Sequence, residues 1–255
     1  MTYTPDELMT VAASRLLRSH DVCFVGIGLP SEACNLARLT HAPGLSLIYE
    51  SGTIGARPSV LPLSIGDGEL CATALTTVSV PEIFRYWLQG GHISIGFLGG
   101  AQIDRFANLN STVIGDYARP RVRLPGAGGA AEMAACCGEI FIVMRQTTRS
   151  FVERLDFVTT PGHGDGGDHR KSSRMRTKGP TKVITDVCVM EPHPQTRELH
   201  VTSLHPGVSR QAVQEVTGWS VKFSERVPET PPPTAIELEA LRDLQRRRVD
   251  AYAAG

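Results

Sequence analysis

No two of the six cysteines are spaced Cys-x-x-Cys; they stand at positions 23, 34, 71, 136, 137 and 188. The adjacent pair Cys136-Cys137 is not a zinc spacing, and reduced thiols in a cytosolic protein are the expectation. There is no excess of either charge, with 26 Lys+Arg against 26 Asp+Glu and a formal net charge of +0. That excludes the basic footprint of a nucleic-acid-binding domain. A near-neutral surface also favours association, so a protein partner is expected. No apolar run approaches the roughly 20 residues that a membrane span needs. The first residues lack a basic stretch followed by an apolar one, so no signal peptide is expected. There is no internal repeat. The glycine turn Gly26-Ile27-Gly28-Leu29-Pro30-Ser31 has serine where a dinucleotide-binding fingerprint has its third glycine, which argues against a Rossmann phosphate loop.

What remains is an ordinary globular composition, 41% apolar and 20% charged over 255 residues. That length is long for one compact core and short for two full domains. Thr4-Pro5-Asp6-Glu7 predicts a capped helix start, with Leu8, Val11, Ala12 and Leu16 recurring at helical spacing. Strands are expected at 22–27, 45–49, 93–98, 119–124, 139–145 and 151–158, and a strand pair at 183–190 and 199–204. Helices are expected at 31–39, at 79–89 with Ser79 as N-cap and Ile83, Phe84 and Trp87 as its apolar face, and at 209–217. Thr234, with Glu237 three residues on, opens a final helix over 234–254 after a proline-rich linker at 227–233. Strands and helices alternate through about residue 146. The fold class is therefore α/β, an open, mostly parallel sheet with helices on both faces, read as a single domain over 1–255.

Three stretches carry the chemistry. Leu45 to Tyr49 is an apolar strand that ends in Glu50, followed by Ser51-Gly52-Thr53-Ile54-Gly55. Glycines there bend the backbone and let a ligand approach the main chain. Glu50 is either a turn glutamate, paired for instance with Arg57, or a catalytic carboxylate at the carboxyl end of a strand, where open α/β sheets place their ligands. Pro125-Gly126-Ala127-Gly128-Gly129-Ala130-Ala131-Glu132 runs into a short Ala-rich helix. Its N–H groups suit an anion or an oxyanion, unless the glycines only permit close packing. The segment 162–182 is glycine-rich and locally basic, a mobile solvated loop or a phosphate-binding lid. His163, Asp165, Asp168 and His169 fall within it, but so glycine-rich a run lacks the fixed scaffold of a metal centre.

The segments 23–30, 48–55, 61–68, 82–91, 124–130, 162–171 and 202–208 together resemble the B subunit of the family I CoA-transferases over essentially the full chain. The likeness is greatest to the family's 3-oxoadipate branch, itself similar to the glutaconate branch. The resemblance implies the CoA-transferase (NagB-like) fold. It places Glu50 at the family's catalytic glutamate and Gly128 and Gly129 in the loop that lines coenzyme A and the oxyanion. It implies coenzyme A as a substrate, with no resident cofactor and no metal. It further implies a partner A subunit in a heterodimer or heterotetramer, succinyl-CoA as donor, a dicarboxylic 3-oxo acid as acceptor in aromatic-compound catabolism, a cytoplasmic location, and inactivity of the chain alone. Hydrolases on the same fold often lack the strand-end glutamate that is present here. Ala107 stands where relatives are expected to carry glycine.

Overall fold

A computed structural model describes residues 2–253 and divides the chain into two compact units, one up to Phe97 together with the residues from Pro232 onward, the other Leu98–Pro231.

The first unit opens with α1 (Pro5–Ser14). As the sequence predicts, the Thr4 hydroxyl accepts from the Glu7 N–H while Glu7 reaches back to the Thr4 N–H, and Pro5 occupies the first turn. β1 (Val22–Phe24) is shorter than expected because Gly28, at φ +77°, turns the chain into α2 (Leu29–Leu39). β2 (Ser46–Ile48), β3 (Thr53–Ile54), α3 (Gly68–Ala72), β4 (Thr76–Thr77), α4 (Val80–Glu82) and β5 (Ile95–Leu98) follow. The strand order is β5-β1-β2-β3-β4. β1 runs parallel to β5 and β2, with Val22 opposite Ser46 and Phe24 opposite Ile48, and β3 runs antiparallel to β2 and β4.

Ser79 caps α4 as expected, but the helix continues as a π-helix, Ile83–Leu88. The Gln89 and His92 N–H groups each reach back five residues, to the Phe84 and Trp87 carbonyls. The buried face is therefore Ile83 with Leu88, five apart, and not the Ile83-Phe84-Trp87 stripe of an α-helix. The C-terminal helix, Ala235–Tyr252, has the predicted Thr234–Glu237 capping box; position 254 of the expected helix lies outside the described residues. Leu241 of this helix packs with Val11 of α1 and Leu36 of α2 in one buried cluster.

The second unit contains two hairpins, β6 (Gln102–Ile103) with β7 (Leu109–Asn110) and β8 (Val113–Gly115) with β9 (Pro120–Arg123). Then come α5 (Ala130–Cys136), β10 (Glu139–Val143), α6 (His169–Ser172), β11 (Pro180–Ile184), β12 (Cys188–Pro192), β13 (Leu199–Leu204), α7 (Arg210–Glu215) and β14 (Lys222–Phe223). The strands run β10-β11-β12-β13-β14, parallel at both ends and antiparallel between.

Two expectations fail here. The stretch 183–190 is not one strand. The Thr185 hydroxyl accepts from the Val187 and Cys188 N–H groups (3.2 and 3.0 Å) and folds the chain back into β12. The stretch 151–158 is not a strand at all. Only Phe151 makes a bridge, to Ile103, and stacks on Trp219 at 5.8 Å. Glu153 and Val158 beyond it face solvent, so no second buried position sustains a period-two pattern. No helix among the described residues is long and apolar enough to cross a membrane.

Candidate active site

Glu50 is the second residue of the loop that joins β2 to β3, directly after Tyr49. The Tyr49 N–H donates to the Thr53 carbonyl and the Gly52 N–H to the Tyr49 carbonyl, both at 3.0 Å, so residues 50–52 form a closed three-residue turn. Glycine is required at its third position. Gly52 has φ +112°, and a Cβ there would stand 2.1 Å from the Val78 carbonyl oxygen, while its own carbonyl accepts from the Val78 N–H at 2.9 Å. The chain that presents Glu50 is thus fixed on one side by β2 and on the other by β3 and Val78.

The Glu50 side chain is half-buried and has no hydrogen-bond or ion-pair partner among the described residues. Arg57 is not its counter-ion: the guanidinium donates to the Pro43 carbonyl at 3.2 Å. Tyr49 beneath it is fully buried; burial pushes its phenol up to about 12, so it remains a neutral hydroxyl 3.3 Å from that of Ser31. The hydroxyls of Ser51 and Thr53 are also buried without partners. Burying an unpaired hydroxyl costs about 1–3 kcal/mol, and such groups are rare in folded proteins. Two of them follow Glu50 within three residues. Neither is foreseeable from the sequence, since nothing in a Ser or Thr codes for its being left unpaired.

Gly128 and Gly129 lie in the second unit, in the loop before α5. Ser111 holds the loop's start, its carbonyl accepting from the Gly126 N–H and its hydroxyl donating to the Gly126 carbonyl, both at 2.8 Å. Gly126 has φ +101° and Gly128 φ +49°, and a Cβ at either would meet no atom within 4 Å. These two glycines serve backbone conformation, not close packing. The N–H groups of Gly128 and Gly129 have no acceptor among the described residues, which leaves two donors side by side, next to open space at Gly128.

The basic segment 162–182 is tied down along its length. Asn108 accepts from the Gly162 and Gly164 N–H groups at 2.8 and 3.0 Å and donates to the Gly164 carbonyl at 2.9 Å. The expectation of a mobile solvated loop gives way to a built wall, because the glycines that suggested freedom are contact points. A Cβ on Gly162 would stand 2.2 Å from the Ala107 oxygen and one on Gly179 2.6 Å from the Arg170 guanidinium. His163 is buried and held near 4 by that burial, hence neutral, with Nε2 2.7 Å from the Pro180 carbonyl. Asp165 instead meets His169 at 3.4 Å. Among the described residues no three His, Cys, Asp or Glu side chains stand together as a metal site.

Comparison with known proteins gives a consistent picture. The family model for coenzyme A transferase matches residues 7–216. The chain is 60% identical to the B subunit of the 3-oxoadipate CoA-transferase of Pseudomonas knackmussii, covering 98% of this chain and 96% of that one. It is 34% identical to the B subunit of the glutaconate CoA-transferase of Acidaminococcus fermentans, covering 92% and 91%. The crystal structure of glutaconate coenzyme A-transferase from that organism superposes with a TM-score of 0.88 at 30% identity, covering 94% of each chain.

Proposed function

The chain belongs to the coenzyme A transferase family, and from that premise we propose that it is the B subunit of a two-subunit enzyme that moves coenzyme A from succinyl-CoA to 3-oxoadipate, with Glu50 as nucleophile. The relative named for 3-oxoadipate, at 60% identity, supports the acceptor and the A-subunit partner. The observation that best supports the nucleophile is the Glu50 carboxylate, presented on a rigid turn and left without a partner. Aromatic-compound catabolism is the corresponding setting, in the cytoplasm, with coenzyme A as substrate and no resident cofactor.

A carboxylate suits this reaction because it keeps the acyl group activated at every stage. A Glu50 oxygen attacks the thioester carbonyl of the donor, and the tetrahedral oxyanion collapses to release the coenzyme A thiolate, leaving a mixed anhydride between succinate and Glu50. The thiolate then attacks the Glu50 carbonyl carbon and releases succinate, so that coenzyme A rides on Glu50 as a thioester. The acceptor carboxylate attacks the same carbonyl carbon and re-forms a mixed anhydride, and the thiolate attacks the acceptor's carbonyl, freeing Glu50. No proton needs to be moved, and no water is consumed. Each tetrahedral species needs fixed donors, worth roughly 3–4 kcal/mol for one well-placed group. The unpaired N–H groups of Gly128 and Gly129 are the donors we assign to that role. The chain alone supplies half of the site, and the A subunit the rest.

The test is the mass of the Glu50 peptide after the chain, assembled with its A subunit, is incubated with succinyl-CoA and no acceptor. A gain equal to coenzyme A that 3-oxoadipate discharges is the expected result. A gain that 3-oxoadipate leaves in place keeps the nucleophile and removes the acceptor. Free coenzyme A without an adduct points to a hydrolase.

A further inference from the structure

Within the second unit, the basic segment and the β12–β13 turn enclose a cavity of about 330 Å³. Four cationic side chains line it, Arg170, Lys171, Lys178 and Arg197, against one carboxylate, Asp168. Three features set it apart from a patch of solvated lysines.

The first is Arg170, a guanidinium 7% exposed. Its donors go to the carbonyls of Gly162 (2.8 Å), Ala134 (2.9 Å) and Thr177 (3.4 Å) and to the Thr177 hydroxyl (2.8 Å). All four acceptors are neutral. Buried charges are normally paired with an opposite charge, and this one is not. Its positive potential is held in the wall of the cavity. The second is Arg197, half-buried with φ +64°. A non-glycine residue in the left-handed region is strained by about 1–2 kcal/mol, and such strain concentrates at ligand sites. Its side chain faces the cavity with no hydrogen-bond partner among the described residues. The third is rigidity. The Gly167 N–H donates to the Thr196 carbonyl at 3.0 Å and the Arg197 N–H to the His193 carbonyl at 2.9 Å, so the basic segment and the turn that carries Arg197 are fixed to one another. The walls are set before any ligand enters, which reduces the ordering cost of binding.

Nearby charge does not cancel this. Lys178 is engaged by Glu139 at 3.2 Å, and Asp168 is the one carboxylate on the lining, while Lys171 and Arg197 keep free donors. His163 is neutral and adds no charge. We propose that this cavity is a phosphate-binding site, with Lys171 and Arg197 as the direct donors and Arg170 as the fixed charge behind them. A fork-shaped guanidinium beside a lysine suits a phosphate dianion. On the transferase reading, on which this assignment of the ligand rests, the phosphate belongs to the nucleotide end of coenzyme A.

The test is calorimetric titration of the complete two-subunit enzyme with two probes, adenosine 3′,5′-bisphosphate and inorganic phosphate. The wild-type enzyme is compared with Lys171→Ala and with Arg197→Gly, the latter chosen because glycine accepts the left-handed backbone. The bisphosphate should bind, and each substitution should weaken it about tenfold, as for loss of one charge-assisted contact. Binding of inorganic phosphate alone, lost in both variants, keeps the phosphate site and assigns it to a free ion. Equal affinities of wild type and both variants for both probes would overturn the proposal. The titration needs no turnover, so it can fail while the Glu50 adduct still forms, and the adduct can fail while phosphate still binds.

Discussion

Glu7 and Glu237 occupy the same position, the third of their respective helices, and each is clasped by an arginine from the other helix. Arg242 of the C-terminal helix donates to both oxygens of Glu7 at 2.6 and 3.1 Å, and Arg15, at the end of α1, donates to both oxygens of Glu237 at 2.7 Å. Each glutamate also closes a capping box. The two helix starts and the helix pairing therefore rest on the same two carboxylates. Partial burial works against the charge of Glu237, but the bonds from Arg15 and Thr234 outweigh it and hold the carboxyl at about 2, below its ordinary 4.5.

The sign of the pH dependence follows. A carboxylate whose pKa is depressed in the folded state stabilises fully above about 4.5 and loses that contribution as pH falls toward 2. Glu237→Gln should lower stability at pH 7 by about 1–2 kcal/mol once solvent screening is allowed for. The gap between wild type and variant should narrow steadily below pH 4.5. Thermal melts at pH 7, 4 and 3 check this, and a gap of constant size across that range would refute it.

Ala107 sits at φ +60° in the turn between β6 and β7, held there by the Asp104 carboxylate, which accepts from the Phe106 and Asn108 N–H groups at 2.9 and 3.0 Å. Alanine pays for the left-handed backbone and glycine does not, although glycine loses more freedom on folding. The balance favours Ala107→Gly by about 0.5–1 kcal/mol, which raises Tm by roughly 1–4 °C in a chain of this size. A lower Tm would show that the methyl packs usefully, buried as it is.

Much of this was legible in the sequence because it is local. Thr4 and Thr234 announce their helices through a glutamate three residues on, and the strand-end turn at Glu50 is announced by its glycines. What was not legible depends on partners far along the chain. The π-helical run Ile83–Leu88 uses residues that fit an α-helical stripe equally well. The place of Arg170 in the cavity wall is set by the carbonyls of Ala134 and Gly162, which no spacing rule connects. The glycines of 162–182 suggest freedom in sequence and provide contact in space.

Two glycine substitutions should separate turn from loop. Gly52→Ala forces a methyl to within 2.1 Å of the Val78 backbone oxygen at φ +112°, so the hairpin that carries Glu50 must distort, with a loss above about 2 kcal/mol. Gly128→Ala meets open space at φ +49° and should cost only about 1 kcal/mol. Its larger effect should be on turnover, through displaced N–H donors. Denaturant unfolding of both variants, with kcat for Gly128→Ala in the assembled enzyme, provides the comparison. A Gly128→Ala enzyme with wild-type kcat would remove this loop from the oxyanion role.

Glu50 offers the sharpest contrast between stability and activity. Its carboxylate has no partner among the described residues, so Glu50→Gln should leave stability within about 0.5 kcal/mol of wild type. If the carboxylate is the nucleophile, the same change should cut turnover about 10⁴-fold or more, since an amide oxygen cannot form the anhydride. Glu50→Asp keeps the charge but withdraws it by one methylene from a turn that β2, β3 and Val78 hold in place. The backbone cannot follow, and a misplacement of about 1 Å costs on the order of 10²-fold. The expected order is therefore wild type, then Asp, then Gln, with near-equal melting temperatures throughout and a coenzyme A adduct on wild type and Asp alone. Turnover of the Gln variant at the level of the Asp variant would mean that Glu50 acts through its shape or its hydrogen bonding, and the covalent route would have to be abandoned.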